Sequence, residues 1–124
     1  MDPAEPRARR LEALAFGAAA EATVADALAA DGWTVLERNW RGAGGEIDIV
    51  VERAGQLRFV EVKARTGPDD LAGLEAIGDH KQRRLRAAAE AFLASHRRPF
   101  DEACFLVAWV EGGTIEWIDD AFDG

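Results

Sequence analysis

The chain has 124 residues, of which 48% are hydrophobic and 31% are charged, a size and composition typical of one globular domain with its own core. Its single cysteine, Cys104, excludes an internal disulfide, and we predict a buried thiol in a reducing compartment. No apolar stretch approaches the roughly 20 residues of a membrane-spanning helix, and the N-terminus lacks the pattern of a signal peptide. We therefore predict one cytoplasmic domain over residues 1–124, without a membrane partner and with frayed ends at 1–6 and 119–124.

The formal net charge is −8, which by itself argues against a nucleic-acid partner. The negative charge is concentrated toward the ends of the chain. Residues 101–124 hold seven acidic and no Lys or Arg side chains, whereas residues 33–100 hold twelve Lys or Arg and ten Asp or Glu. The middle of the chain is therefore mildly basic, so its charge neither excludes nucleic acid nor supplies positive evidence for it.

Hydrophobic periodicity and turn residues divide the first half of the chain into a helix and three strands. An Ala-rich helix over about 7–30 is expected to end at Asp31-Gly32. A strand over 33–40 then leads through a flexible loop, Arg41–Gly45, into a β-hairpin. The hairpin strands are predicted at 46–51 and 57–64, around an Ala54-Gly55 loop.

The second half contains a long loop, one helix and two strands. Residues 66–78 hold Pro68 and three glycines, which predicts a mobile loop. Asp79 is the expected N-cap of a helix to about His96, followed by a strand over 103–110 that is buried on both sides and a last strand over 114–118. The order α-β-β-β-α-β-β predicts an α/β domain whose mixed sheet is flanked by helices.

The hairpin carries acidic residues where a purely structural strand would carry apolar or neutral ones. Counting outward from Ala54-Gly55 places Asp48 opposite Glu61, and Glu46 opposite Lys63. The Cβ atoms of directly opposed residues lie about 4.5–5.5 Å apart, and like charges so placed repel each other. We therefore expect a cation between Asp48 and Glu61, with Lys63 on the same face as Glu61.

A divalent cation is the predicted occupant, because Mg²⁺ binds through a few carboxylate oxygens and keeps several waters. Asp48 and Glu61 would be ligands, together with the backbone carbonyl of Val62. A metal ion held in this way lowers the pKa of a bound water and neutralises charge on a phosphodiester, while Lys63 would orient the water or stabilise the transition state. Alternatively, Asp48 and Glu61 are exposed on a one-sided sheet and pair with Lys63 or an arginine.

A third carboxylate could come from the first helix. Glu21 lies at helical spacing from Leu14, Ala18, Ala25 and Leu28, which places it on the apolar face. A carboxylate there must pair, protonate or bind a cation, unless it lies at the edge of the stripe and its tip reaches water. If this helix packs beside the hairpin, Glu21 would join the metal site.

The second helix carries four basic residues near its start. Lys81 shares the apolar stripe that includes Leu85, so its amine is expected to point toward the sheet. Arg83, Arg84 and Arg86 lie mostly elsewhere on the helix. We expect them to form a solvated face, with phosphate contact as the alternative.

Together these residues resemble a known family. Asp48 followed by Glu61-Val62-Lys63 is similar to the Asp…Glu-x-Lys core of the restriction-endonuclease-like nucleases. Over about residues 11–110 the chain resembles the YraN family, small bacterial endonuclease-like proteins related to archaeal Holliday-junction resolvases. The stretches that carry the resemblance are Gly17–Glu21, Asn39-Trp40-Arg41, Gly45–Asp48, Phe59–Arg65, Lys81 and Asp101.

The resemblance implies a restriction-endonuclease-like fold, with the active site at one edge of the hairpin. By motif position Asp48 and Glu61 would bind Mg²⁺ or Mn²⁺, Lys63 would be the catalytic lysine, and Glu21 would match the acidic residue on the first helix of resolvase-like members. The expected contacts with nucleic acid are Arg41, Arg65 and Lys81. The leading hypothesis is a metal-dependent nuclease that acts on DNA, including branched or damaged DNA, and a homodimer would match the two-fold symmetry of a junction.

Two other classes of function remain open. A non-catalytic adaptor would keep a nuclease-like metal site and bind nucleic acid without cleaving it. A structural or assembly protein is suggested by the four tryptophans, although core packing is the commoner role of this residue. A zinc site or a Cys-His catalytic pair is not indicated, because His80 and His96 lie sixteen positions apart and there is one cysteine.

Overall fold

The computed structural model describes residues 6–64, 78–96 and 100–119. In chain order these residues form two helices and five strands: α1 (Pro6–Ala30), β1 (Thr34–Gly42), β2 (Gly45–Arg53), β3 (Gln56–Ala64), α2 (Asp79–Ser95), β4 (Glu102–Glu111) and β5 (Thr114–Asp119). The predicted mobile loop 66–78 lies outside the described residues except for Gly78. The predicted frayed ends also lie outside them, except for Pro6 and Asp119, which belong to α1 and β5 rather than to frayed ends.

The five strands form one mixed sheet in the order β1-β2-β3-β4-β5. Neighbouring strands are antiparallel, except for β3 and β4, which are parallel and are joined through α2. Because side chains alternate along a strand, the sheet packs against α1 on one face and against α2 on the other. The predicted α/β domain, with a mixed sheet between helices, is confirmed.

The end of α1 has the hydrogen bonds that its sequence predicts. The N–H of Trp33 donates to the carbonyl of Leu28 at 3.0 Å, and the N–H of Gly32 donates to the carbonyl of Ala29 at 3.1 Å. These two bonds define a Schellman motif, which closes many helices. Trp33 belongs to this cap, and β1 therefore begins one residue later than predicted, at Thr34.

The buried face of α1 differs in part from the predicted stripe. Ala20, Val24 and Leu28 are buried, whereas Ala18 is exposed. The buried face is therefore rotated by part of a turn, because the packing of α1 on the sheet decides which positions of an alanine-rich helix are covered. Glu21 lies beside the buried residues and is itself half-buried.

Helix α2 begins at Asp79, and Gly78 is its N-cap without a side-chain hydrogen bond. The prediction that Asp79 caps this helix is therefore wrong. Of the predicted inward residues, Leu93 is 40% exposed because it lies off the stripe, and the others are buried: Leu85, Ala88, Ala89 and Phe92. Among the described residues, no helix is long and apolar enough to cross a membrane.

Strand β4 is buried on both faces over most of its length. Residues 105–110 are all buried, as its apolar run predicts. The first part of the predicted strand is different, because Ala103 is exposed and Cys104 is half-buried. The Sγ of Cys104 donates to Oε1 of Glu102 at 3.1 Å, so the prediction of a fully buried thiol is wrong.

Tight turns join the three strands that build the hairpin region. Ala43-Gly44 connects β1 to β2, and Ala54-Gly55 connects β2 to β3. All four residues have positive φ angles, between 51° and 82°, as type I′ turns require. The hairpin is centred as predicted, but the predicted flexible loop Arg41–Gly45 is a two-residue turn whose flanking residues belong to β1 and β2.

The start of β2 lies directly against α2 at Gly45. A Cβ atom at this position would collide with the carbonyl oxygen of Arg84 and would lie 3.2 Å from the Cβ of Ala88. A backbone carbonyl cannot rotate away as the end of a flexible side chain can. The absence of a side chain at Gly45 therefore determines how closely α2 approaches the hairpin.

We expect Gly45→Ala to lower the free energy of unfolding by about 1–3 kcal/mol, the usual cost of overpacking, as measured by urea denaturation. Gly17→Ala is the matched control, because a Cβ at Gly17 would meet nothing within 4 Å and alanine favours a helix. The control should therefore be as stable as the wild type or more stable. A Gly45→Ala protein of unchanged stability would show that α2 moves away from β2 at no cost.

Candidate functional site

The two predicted acidic residues lie where β2 and β3 separate. The ladder between these strands ends at the pair Ile49–Val60. Its register agrees with the predicted count, but the predicted pair of Asp48 and Glu61 lies one step beyond the last ladder pair. Beyond this point β2 stays paired with β1, and β3 stays paired with β4. The two strands therefore diverge, and Asp48 and Glu61 lie at the mouth of the resulting fork.

A side-chain hydrogen bond spans the fork. The backbone N–H of Val62 donates to Oδ2 of Asp48 at 2.8 Å, a contact that the sequence did not reveal. Because the N–H and C=O of one strand residue point toward the same neighbouring strand, the carbonyl of Val62 is directed toward this fork as well. This direction agrees with its predicted role as a metal ligand.

Glu61 is buried and is contacted by two lysines. Among the residues whose burial the structure describes, Glu61 is the one charged residue that is buried, with 7% of its surface exposed. Its Oε1 lies 2.7 Å from the Nζ of Lys81 and 3.4 Å from the Nζ of Lys63. The predicted directions of both lysines are confirmed. The alternative of an exposed Glu61 is wrong, although its pairing with Lys63 is present.

The surroundings of Asp48 favour its neutral form. Burial and then the negative charge of Glu61 raise the pKa of Asp48 to about 7, against the opposing effect of the Val62 N–H. The charge of Glu21 raises this pKa further, and the charge of Lys81 lowers it. The ionised pair of Asp48 and Glu61 is therefore unfavourable by itself, and a cation between the two carboxylates would relieve the repulsion.

The pKa values of the two lysines shift in opposite directions. Burial lowers the pKa of Lys63 below its ordinary value of 10.5, and the neighbouring Lys81 lowers it further, although Glu61 opposes both effects. Burial also acts to lower the pKa of Lys81, but the hydrogen bonds and charge around it, first of all those of Glu61, outweigh burial and raise it. Lys81 is therefore the firmly protonated partner of Glu61.

Glu21 approaches this site without joining it. Its Oε2 lies 3.9 Å from Nη2 of Arg38 on β1, a partner that sequence reasoning missed, and 18% of its side chain is exposed. Within residues 6–64, 78–96 and 100–119, no three His, Cys, Asp or Glu side chains are grouped so as to hold a metal ion. In this conformation the expected third carboxylate pairs with Arg38, although its charge still raises the pKa of Asp48.

An open pocket of about 630 Å³ gives access to the acidic pair. Arg84, a residue of the predicted solvated face, is exposed and also lines this pocket. Its spacing of three from Lys81 makes the two residues neighbours on the helix surface, but this spacing alone does not locate the pocket. The pocket is lined by Arg41, Gly42, Gly44, Gly45, Glu46, Asp48, Glu61, Lys81, Arg84 and Leu85. Glu46 pairs with Arg41 at 3.6 Å. Its predicted place opposite Lys63 is not part of the ladder, which ends at Ile49–Val60, and Arg65 lies outside the described residues.

The oxygen donors at the fork fit a hard divalent cation. Mg²⁺ is usually held by one or two carboxylates and keeps several waters, and Asp48, Glu61 and the carbonyl of Val62 supply such a set. Burial and the negative charge of Glu61 raise the pKa of Asp48, and a cation bound to this carboxylate would stabilise its ionised form. A third carboxylate is not required for this mode of binding.

The acidic β5 lies away from this pocket. It carries Glu116 and Asp119 and is separated from β2 by β3 and β4. Three strand spacings amount to about 14 Å, which exceeds the screening length of about 8 Å at physiological ionic strength. The negative charge of β5 therefore weakens the attraction of a phosphate to the pocket only slightly.

Comparison with known proteins places the chain in a bacterial family. The uncharacterised protein family UPF0102 matches residues 20–110, which include the predicted site residues from Glu21 to Lys81. A UPF0102 protein of Gloeobacter violaceus is 51% identical over 117 residues, covering 88% of this chain and 93% of its own. Another from Ralstonia nicotianae is 45% identical over 114 residues, covering 89% and 88%. The chain therefore belongs to the uncharacterised protein family UPF0102, the YraN family that its motifs resemble.

Proposed function

We propose that this protein is a divalent-metal-dependent nuclease of restriction-endonuclease-like architecture that hydrolyses phosphodiester bonds in DNA. The observation that carries the proposal is that Asp48 and Glu61 line the same pocket at the mouth of the fork, with Lys63 3.4 Å from Glu61. Two carboxylates in this arrangement repel each other and cost stability. Their presence at the bottom of an open pocket is best explained by a ligand that needs them.

Each residue of the site has a distinct role in this proposal. Asp48, Glu61 and the carbonyl of Val62 would hold Mg²⁺ or Mn²⁺, which when bound lowers the pKa of a water and neutralises charge on a phosphodiester. Lys63 places its amine beside the same carboxylate, where a positive charge stabilises negative charge that develops on the phosphate. Arg41, on the wall of the pocket, would bind a neighbouring phosphate.

The finer parts of the proposal concern the substrate and the assembly. Branched or damaged DNA is the substrate class that the resolvase likeness implies, and a homodimer would match a junction. Arg65 follows the Glu61-Val62-Lys63 motif by two residues and remains a predicted contact with nucleic acid. A cytoplasmic location is part of the same proposal, because DNA is the substrate.

A non-catalytic adaptor is the second candidate, and one observation favours it. Glu21 is paired with Arg38, and no group of three acidic or other metal-binding side chains forms within the described ranges. A site with two carboxylates could bind a metal ion and nucleic acid without completing the geometry for hydrolysis. Both candidate functions require metal binding, but only the nuclease requires cleavage of DNA.

The test combines metal binding with DNA cleavage. The wild-type protein should bind Mn²⁺ in calorimetry and should cleave a four-way junction, a flap or single-stranded DNA in Mn²⁺ but not in EDTA. Asp48→Asn should weaken Mn²⁺ binding and cleavage by at least about 100-fold, the upper end of the loss caused by removing an outer-shell partner of a metal ligand. Glu90→Gln, which removes an exposed acid of α2, is the control and should change neither.

Three results are informative. Cleavage that survives Asp48→Asn would rule out this site as the active centre. Mn²⁺ binding that depends on Asp48, without cleavage of any of the three substrates, would favour the adaptor. A wild-type protein that binds no Mn²⁺ would contradict both candidates.

A further inference from the structure

The proposed metal site already contains positive charge, because Lys81 and Lys63 both contact Glu61. Asp48 and Glu61 carry two negative charges when ionised, and Lys63 and Lys81 carry two positive charges when protonated. A divalent cation between the carboxylates would add two more positive charges at close range. Since like charges at short distance repel strongly in a partly buried site, a metal ion bound between the carboxylates would favour movement of one of the lysines away from Glu61.

The geometry distinguishes the two lysines. Lys81 lies 2.7 Å from Oε1 of Glu61, closer than Lys63 at 3.4 Å, and it is also the more exposed of the two, with 31% of its side chain accessible against 19%. Of these two lysines, Lys81 lines the pocket through which a metal ion and a phosphate would enter, and Lys63 does not. Lys81 therefore occupies the accessible side of Glu61.

We infer that Lys81 is an exchangeable counter-ion, which holds Glu61 when the site is free of metal and is displaced when a divalent cation binds. This inference rests on the proposed metal site. The displaced amine stays in the pocket because α2 anchors its backbone, and Arg84 lies one turn further along the same helix and lines the same pocket. Two positive groups on one helix face then become available for a phosphate oxygen.

This exchange couples metal binding to substrate binding. In the metal-free protein the amine of Lys81 is held by Glu61, so it is not available to a phosphate. Once the metal ion takes the carboxylate, the same amine is released toward the pocket. The ion pair of Lys81 with Glu61 therefore has two effects: it compensates a buried charge, and it competes with the metal ion.

The direct test is the affinity for Mn²⁺ alone, measured by calorimetry without DNA. Lys81→Gln removes the competing charge and should bind Mn²⁺ about tenfold more tightly than the wild type, which corresponds to about 1.4 kcal/mol. Lys81→Arg keeps the charge and should bind like the wild type. Arg84→Gln removes a positive charge from the same pocket without an ion pair to Glu61 and should also bind like the wild type.

A Lys81→Gln protein that does not bind Mn²⁺ more tightly than the wild type would indicate a different role for Lys81. Equal or weaker Mn²⁺ binding in Lys81→Gln would overturn the inference, because it would mean that Lys81 orients Glu61 for the metal ion. An equal gain in Arg84→Gln would also overturn it, since the effect would then come from the general charge of the pocket. If the wild type binds Mn²⁺ through Asp48 but Lys81→Gln shows no gain, the inference fails and the metal site stands. If the wild type binds no Mn²⁺, both fail.

Thermal denaturation gives a second measurement that does not need tight binding. Lys81→Gln should melt at a lower temperature than the wild type without metal, because buried Glu61 loses its closer counter-ion. Saturating Mn²⁺ should raise its melting temperature by more than it raises that of the wild type. An equal or smaller rise would overturn the inference, even if the metal-free variant is only partly folded.

Discussion

Replacing Asp48 with asparagine is expected to stabilise the metal-free protein, by up to about 4 kcal/mol near pH 8 and by little near pH 4. The pKa of this carboxyl is about 7 in the folded chain, against an ordinary value of 3.8, and each pKa unit corresponds to about 1.4 kcal/mol. Asparagine keeps a side-chain oxygen that can accept the N–H of Val62. The substitution therefore removes the charge while it preserves the hydrogen bond across the fork.

The sign of the effect follows from proton binding. Between about pH 4 and pH 7 the folded protein holds a proton on Asp48 that the unfolded chain has already lost, so the contribution of this group to the free energy of unfolding falls as the pH rises. Above pH 7 both states are ionised and the full penalty remains. Asparagine does not titrate. The difference in the free energy of unfolding between variant and wild type therefore grows between about pH 4 and pH 7 and is constant at higher pH.

Urea denaturation in EDTA at several pH values between about 4 and 8 measures this difference. Glu46→Gln is the matched control, since it removes an acid two residues away on β2 that is half-buried and paired with Arg41. A gain of the same size in this control would attribute the effect to the overall net charge. An Asp48→Asn protein that is less stable than the wild type near pH 8 would contradict the raised pKa.

Adding Mn²⁺ should reduce this difference in stability. A ligand that binds the folded state stabilises it by about 2.7 kcal/mol at a concentration 100 times its Kd, and the wild type should gain this amount. Asp48→Asn should gain little, because it lacks one of the two carboxylates of the site. On this explanation the proposed metal site lowers the stability of the metal-free wild type, and equal gains in both proteins would contradict it.

Lys63→Met is expected to reduce DNA cleavage by about 10²–10³-fold, the usual effect of removing one electrostatic stabiliser of a transition state, while Mn²⁺ still binds. The Nζ of Lys63 lies 3.4 Å from Oε1 of Glu61. Lys63 follows this predicted metal ligand by two residues on β3. Its charge is therefore beside the position where the phosphate would react. Methionine has a similar length and shape without the charge, so the packing around the side chain should be preserved.

Single-turnover cleavage with saturating Mn²⁺ measures the effect on the chemical step. Arg83→Gln is the control, since it removes a positive charge from an exposed position of α2. A comparable loss in the control would mean that the variants weaken DNA binding rather than catalysis. Activity that is unchanged in Lys63→Met would reduce Lys63 to a structural counter-ion of Glu61.

Much of the fold could be predicted from local patterns, because the relevant interactions are short in sequence. The Ala54-Gly55 turn determines which residues of the hairpin oppose each other. The positive φ angles of the turn suit Gly55 but are unfavourable for Ala54, so glycine is the local signal of this turn. The opposition of Asp48 and Glu61 follows from this count alone. The end of α1 at Asp31-Gly32 was likewise readable, since a helix C-cap depends on a few adjacent residues.

Contacts between elements that are distant in sequence were less predictable. Helical spacing indicated that Lys81 faces the sheet, but neither its contact with Glu61 nor the place of Arg84 on the pocket wall could be derived from spacing. Both depend on how α2 lies across β2, which the close approach at Gly45 determines. The rotation of α1 was similarly undecided, because alanine marks no face of a helix as inward.

The sequence by itself therefore determined that Asp48 and Glu61 lie on the two strands of one hairpin and that Lys63 lies on the same face as Glu61. These features depend on turn chemistry and strand alternation, which act locally. Only the tertiary structure decided that Glu61 is buried against two lysines, that Asp48 binds the N–H of Val62 and that Glu21 pairs with Arg38. These contacts form where β2 and β3 diverge and the two helices pack on opposite faces. Their geometry depends on packing across the whole domain, which no local pattern encodes.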